Sequence, residues 1–307
     1  MKINFLSYVS LAFVLWGCQG GSIQQELDTP TSGSIDIVVD ESLKPLIEAE
    51  IDAFQAIYQQ AQIHVTYMAE AEATQLFLAD SARLLIMGRQ LLPEEKLVLD
   101  TQKIIPQQVK AAIDGVALIL HPKSQDTVFS YQQFIKLLEG GRDSSAQLGQ
   151  AMPQIVFDHS YSGIIRWMMD SVARLDRVPA HFYALESHEE VIHYVSQTPE
   201  AKGLIGLSWV SDKDDSTVNR FLDQIKVAGI ANPSDSSGEA YQPYQAYLAN
   251  KKYPLSREVY AISREARAGL GSGFLAFLCG DRGQRIVLKS GLVPATMPVR
   301  IVQFVAE

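Results

Sequence analysis

Two short segments put a hydroxyl at the start of a predicted helix: Ser42, just ahead of Leu43, and Ser162-Gly163, ahead of the stretch holding Trp167. The first amides of a helix have no partner inside it, and the helix dipole favours negative charge at that end. A serine there is either an ordinary cap or, together with the free amides, one wall of an anion site. The residues alone leave both readings open. Other chemistries find little support. There is no G-x-S-x-G elbow, no P-loop and no H-E-x-x-H. Gly269-Leu270-Gly271-Ser272-Gly273 lacks dinucleotide spacing and reads as the entry to a helix. His188 and His193 lie five apart on a predicted helix, on different faces, so no metal site is expected there. Asp212, Asp214 and Asp215 lack the glycine and distal glutamate of a calcium loop and read as a solvated turn. Spacing nowhere assembles nucleophile, base and orienting group, so neither an enzyme nor a cofactor is expected.

The elements that must position these residues are legible. The chain has 307 residues, 47% hydrophobic and 20% charged, which suits a folded protein with room for two domains. A net charge of −9 argues against nucleic acid, whose binders present a basic face. The two cysteines, Cys18 and Cys279, exclude a disulfide scaffold and a four-cysteine zinc site. Cys279 follows an apolar run and is expected to be buried and inert. Lys2 followed by the apolar run Phe5–Gly17 is too short to span a membrane and reads as a signal peptide over residues 1–17. Its end, Gly17-Cys18, resembles a bacterial lipoprotein signal, so Cys18 is the expected lipidated N-terminus. Gly20, Gly21, Ser22, Thr29, Pro30 and Gly33 give residues 18–33 the composition of a flexible tether.

Beyond residue 33 strands and helices alternate. Ile35–Val39 is a β-branched strand. Leu43, Leu46, Ile47, Ile51, Phe54 and Tyr58 form an amphipathic helical stripe, with Ser42 as its cap. Further strands are predicted at Ile63–Tyr67, Ala82–Met87, Val116–Leu120, Gln154–Phe157 and Leu204–Ser208. Further helices are predicted at Ala71–Leu78, Pro93–Leu99, Tyr131–Leu138, Gly163–Leu175 and Ser187–Val195. This alternation implies an α/β fold with largely parallel sheets.

Seven segments in order then resemble the phosphate-binding protein of bacterial phosphate ABC importers, in its lipoprotein branch. They are Gly33–Leu46, Met87–Glu95, Asp114–Pro122, Ser160–Gly163, Ala201–Leu207, Tyr253–Tyr260 and Gly283–Pro294. The resemblance runs from about residue 33 to 304. It implies a two-lobed type II periplasmic binding protein, each lobe a mixed, mostly parallel sheet flanked by helices. Lobe one would hold residues 33–122 and 252–307, and the inserted lobe two residues 123–251. It also implies an exported, membrane-anchored monomer that takes inorganic phosphate in the interlobe cleft and delivers it to an ABC permease. The alternative is a sensor, a scavenger, or a binder of another oxyanion or small organic acid.

By the same resemblance the ligand contacts are Ser42, Ser160, Ser162 and Gly163. Two positions depart from the family pattern R-x-x-x-S-G-T. Asp158 stands at the arginine position and Ile164 at the threonine position. Where the family's first-lobe strand ends in a proton-accepting aspartate, this chain has Arg89. The expectation is therefore exchanged charges: Arg89 holding the anion, and Asp158 accepting its proton or pairing with Arg89. Asp40, Glu41, Glu70 and Glu72 are expected to be solvated or helix-start charges.

Overall fold

The computed structural model describes residues 28–141 and 153–299. The predicted signal, Cys18, most of the tether and the polar loop at 142–150 lie outside those residues. The first half runs β1 (Gly33–Asp40), a 3-10 turn (Glu41–Leu43), α1 (Lys44–Ile57), β2 (Ala61–Met68), α2 (Glu70–Leu78), β3 (Leu84–Met87), α3 (Pro93–Thr101) and the long β4 (Gln107–Leu120). The second runs β5 (Val128–Phe129), α4 (Tyr131–Glu139), β6 (Gln154–Asp158), α5 (Gly163–Trp167), β7 (Phe182–Leu185), α6 (His188–Gln197), β8 (Ala201–Gly206), α7 (Ser208–Ser211) and α8 (Ser216–Leu222). The short β9 (Lys226–Val227), β10 (Gly229–Ala231), β11 (Ala240–Tyr241) and α9 (Gln245–Ala249) follow. The chain then returns through β12 (Ser256–Ser263), α10 (Leu270–Cys279), α11 (Asp281–Lys289) and β13 (Val293–Pro294).

The main sheet has the order β2-β1-β3-β12-β4-β8-β6-β7. Each half carries three parallel strands, β2-β1-β3 and β8-β6-β7, and the antiparallel β12–β4 pair lies between them. β4 belongs to both halves: Gln107–Gly115 pairs β12, and Val116–Leu120 pairs β8. The expected mixed α/β architecture is thus observed.

Burial follows the strand and helix periods. In β1, Ile35, Ile37 and Val39 face one core with Leu46, Ile47, Phe54 and Phe274, while Val38 faces the other with Phe77 and Leu85. The predicted stripe of α1 is buried, but Glu50 lies on it too and is wholly enclosed. Among the described residues neither Glu50 carboxyl oxygen has a hydrogen-bond partner, and burial pushes its pKa up to about 9.

Local differences have physical causes. The predicted helix Gly163–Leu175 keeps α geometry only to Trp167, widens into a π-helical turn over Met168–Ala173 and stops at Arg174, whose φ is 54°. Gly271 and Gly273 lie inside α10 rather than before it. Cys279 ends α10 half-buried rather than fully enclosed. The tether becomes fixed before residue 33. Asp28 accepts hydrogen bonds from Leu270 N at 2.7 Å and Arg83 Nη1 at 2.8 Å, and it also pairs with Arg267. Burial opposes ionisation of Asp28, yet these donors outweigh it and hold its pKa down at about 2.

Candidate functional site

Parallel strands of an α/β sheet present their carboxyl ends at one edge, and ligands bind in the crevice beyond it. Here those ends from both halves converge. Asp40 closes β1, Glu70 follows β2 and Gly88-Arg89 follow β3. From the other half Asp158 closes β6, His188 follows β7, and Gly206 ends β8 just before Ser208.

From the first half, Asp40 Oδ1 accepts from Ser42 N at 3.0 Å and so caps the 3-10 turn. Ser42 is therefore not the helix cap. Its Oγ accepts from Arg257 Nη2 at 2.6 Å, which leaves the hydroxyl proton free to donate. Arg257, on β12, also donates Nε to Asp114 Oδ2 at 3.0 Å and is itself buried. Among the described residues its Nη1 has no hydrogen-bond partner, and it lies where a side chain on Gly88 would intrude, at 3.1 Å. Asp40 Oδ2 likewise lacks a partner among the described residues. Burial, reinforced by Glu70 and Asp158, pushes Asp40 up to about 6 against the pull of Arg257.

From the second half, Ser162 Oγ accepts from Ile164 N at 3.2 Å, capping α5, and donates to Asp158 Oδ1 at 2.6 Å. Its proton is thus engaged, and Ser162 braces Asp158. His188 Nδ1 pairs with Glu41 across the cleft. Burial opposes the imidazolium, but Glu41 and then Asp158 raise His188 to about 9. Glu41 is correspondingly lowered despite its burial, chiefly by His188.

The positions expected from sequence separate into two groups. Ser42, Asp158, Ser162 and Gly163 come together, all buried. Ser160 does not; it is exposed on the turn before Ser162. Arg89 is committed elsewhere. Nε donates to Glu70 Oε1 at 2.7 Å, and both terminal nitrogens grip Glu95, at 2.7 and 2.8 Å. It makes no pair with Asp158; Arg166 takes the other side of Glu70, with Nε 2.7 Å from Oε1. The expectation for the acids also changes. Glu72 is exposed, but Asp40, Glu41 and Glu70 are buried and point into the cleft. The buried cation facing Asp40 is Arg257, to which sequence reasoning gave no role. Its signal was faint: an arginine in the buried strand Ser256–Ser263, with Asp114 as the lone acid in the apolar Ala111–Leu120 stretch.

The halves meet closely. Glu41–His188 and Glu70–Arg166 bridge them, and Ser208 Oγ donates to Ser42 O at 3.3 Å. Glycine makes this possible at two places. A Cβ on Gly163 would lie 2.4 Å from Asp40 Oδ2, and one on Gly206 would lie 2.3 Å from the Ser42 carbonyl oxygen. The second obstacle is backbone and cannot rotate away. Gly206→Ala should hold the halves apart, increasing the radius of gyration by small-angle scattering and weakening any cleft ligand by about tenfold or more. Wild-type scattering and affinity in the mutant would show that this contact does not govern closure.

Comparison with known proteins follows the same lines. The family described as a PBP superfamily domain matches residues 24–282. No curated protein matches the chain. Among solved structures, one from Clostridium perfringens, assigned as a phosphate ABC transporter substrate-binding protein and containing bound phosphate, is 22% identical with a TM-score of 0.71, over 86% of this chain and 100% of that one. An ABC-type phosphate transport receptor from Vibrio cholerae is 15% identical with a TM-score of 0.61, over 85% of this chain and 100% of that one. At these identities the likeness establishes the fold.

Proposed function

The chain belongs to the PBP superfamily, and from that premise we propose that it is an extracytoplasmic solute-binding protein that takes inorganic phosphate into its cleft and delivers it to an ABC permease. One observation carries the ligand assignment. The cleft encloses a guanidinium with a free Nη1, a hydroxyl with a free proton and a carboxyl oxygen with no donor, on Arg257, Ser42 and Asp40. Buried groups left unpaired cost about 1–3 kcal/mol each. Protonated phosphate answers all three, accepting from Arg257 and Ser42 and donating its own proton to Asp40. Sulfate has no proton to offer at neutral pH and would face Asp40 as a like charge. The amide end of α5 at Gly163 and the braced Asp158 close the site from the second half.

In this reading the chain divides into lobes at residues 33–122 with 252–307 and at 123–251, hinged where β4 and the segment before β12 cross. No covalent step is involved; closure of the lobes around ligand is the event the permease reads. Cys18 carries the lipid anchor, and the protein works as a monomer outside the cytoplasm. No helix of the described residues is long and apolar enough to cross a membrane.

Calorimetric titration tests the assignment. Phosphate and arsenate should bind, and sulfate should bind about a hundredfold more weakly or not at all. Absence of phosphate binding by folded protein overturns the reading. Arg89 supplies a second check, because its donors are spent on Glu70 and Glu95. Arg89→Ala should cost about 1–3 kcal/mol of stability while changing phosphate affinity less than about tenfold. A larger loss of affinity would return Arg89 to the ligand.

A further inference from the structure

Charge in the closed cleft does not balance. Glu70 is matched by Arg89 and Arg166, Glu41 by His188 and Asp114 by Arg257. Asp40 and Asp158 are fully buried, and among the described residues neither accepts a hydrogen bond from a charged group. Each has an unpartnered Oδ2, and His188 Nε2 is a third buried atom with no partner. Nε2 lies 3.9 Å from Asp158 Oδ1, too far for a hydrogen bond.

We propose that His188 Nε2 and the Asp158 carboxylate bind a divalent transition-metal cation of the Zn²⁺ class. The spacing suits an ion better than a proton. Two nitrogen and oxygen ligands each about 2.0–2.2 Å from a tetrahedral zinc stand roughly 3.3–3.6 Å from one another, so the pair would draw together by a few tenths of an ångström on binding. One ligand atom from each of Glu41, Asp158 and His188 lies within 4.8 Å of the others. The orienting contacts of a metal-binding imidazole are also in place. Glu41 holds Nδ1 and its proton, so the proton a metal ion would displace is the one on Nε2, the nitrogen that faces Asp158. Trp209 stacks on the ring, with centroids 5.2 Å apart and planes 9° from parallel, and fixes its plane. Ser162 does the same for Asp158 through Oδ1. Binding would displace the Nε2 proton of His188, so a dication would add one net positive charge beside Asp158 and present a positive face to an oxyanion in the same cleft. Glu41, which holds the imidazole, comes from the first half, so the ion would itself favour closure. His193, the other histidine of α6, is exposed and takes no part.

This inference stands on the cleft geometry and not on the phosphate reading, and the two are measured separately. The purified protein is stripped with chelator and titrated with Zn²⁺ in phosphate-free buffer, then with phosphate in metal-free buffer. One equivalent of Zn²⁺ should bind with micromolar or tighter affinity. His188→Gln and Asp158→Asn should each weaken it about thirtyfold or more, and His193→Gln should leave it unchanged. Should the buried variants fail to fold, paramagnetic resonance of the Cu²⁺-loaded wild type decides, through hyperfine coupling to a single imidazole nitrogen. No saturable metal binding by folded wild type, undiminished binding by folded Asp158→Asn, or a copper spectrum without nitrogen coupling would each overturn the proposal. Phosphate binding with no metal binding would leave the phosphate reading intact and refute this one.

Discussion

Arg257→Ala is expected to lower stability by about 3–5 kcal/mol and to remove measurable phosphate binding. Removing one member of a buried ion pair leaves the other charge enclosed and uncompensated, which is the source of that magnitude. Here two carboxylates lose their nearest cation. Asp114 loses both of its contacts to the guanidinium, and Asp40 loses its largest favourable charge interaction. Ser42 Oγ loses the donor that orients it. Equilibrium unfolding in urea measures the first effect and calorimetry the second. A double variant separates them. Arg257→Met with Asp114→Asn fills similar volume with no buried charge at either position and should recover a large part of the stability. It should recover none of the phosphate binding, because the anion still has no cation. Phosphate binding by the double variant would show that Arg257 serves the fold alone.

Glu50→Leu should raise stability by about 3 kcal/mol at pH 7, and the gain should depend on pH in a stated direction. The folded carboxyl is held protonated, with its pKa pushed from 4.5 up to about 9 by burial among the apolar residues of α1, where neither oxygen has a partner. The unfolded chain releases that proton near pH 4.5. Between about pH 4.5 and 9 the folded state binds one proton more than the unfolded state. Stability therefore falls as pH rises through that window, by about 1.4 kcal/mol per pH unit, and levels off above it. Leucine removes the titration and keeps the burial. The difference between mutant and wild type should be small at pH 5, about 3 kcal/mol at pH 7 and larger still at pH 8.5. Urea midpoints at those three pH values check it. A gap independent of pH would mean that Glu50 finds a partner in solution.

Residues 35–39 and 43–58 show how far local pattern reaches. A β-branched run with period 2 and an apolar stripe at three- and four-residue steps can each bury a face in only one way, so β1 and α1 lie where they were read. The same holds for α2, α3, α4, α6 and the core of β4. The alternation of these elements dictated an α/β fold, and the ordered segments pointed to two halves and a cleft. Glu50 escaped the same pattern because a charged residue on an apolar stripe looks like its polar edge until packing closes over it.

Which charges meet was decided by tertiary structure alone. Asp40 and Asp158 are 118 positions apart in the chain, and Glu41 and His188 are 147. No local rule relates them; they meet because two sets of parallel strands end at one edge and the halves close. The expected exchange of Arg89 and Asp158 failed for the same reason. Arg89 follows β3, where Glu70 and Glu95 lie within reach and satisfy its guanidinium before it can extend into the cleft. The cation that does face Asp40 enters from β12, a strand that reaches the site only by returning between β3 and β4. Short-range physics sets each element, because backbone geometry and apolar periodicity act within a few residues. The site is a long-range electrostatic arrangement, and burial, by removing water, determines which of its charges must find one another.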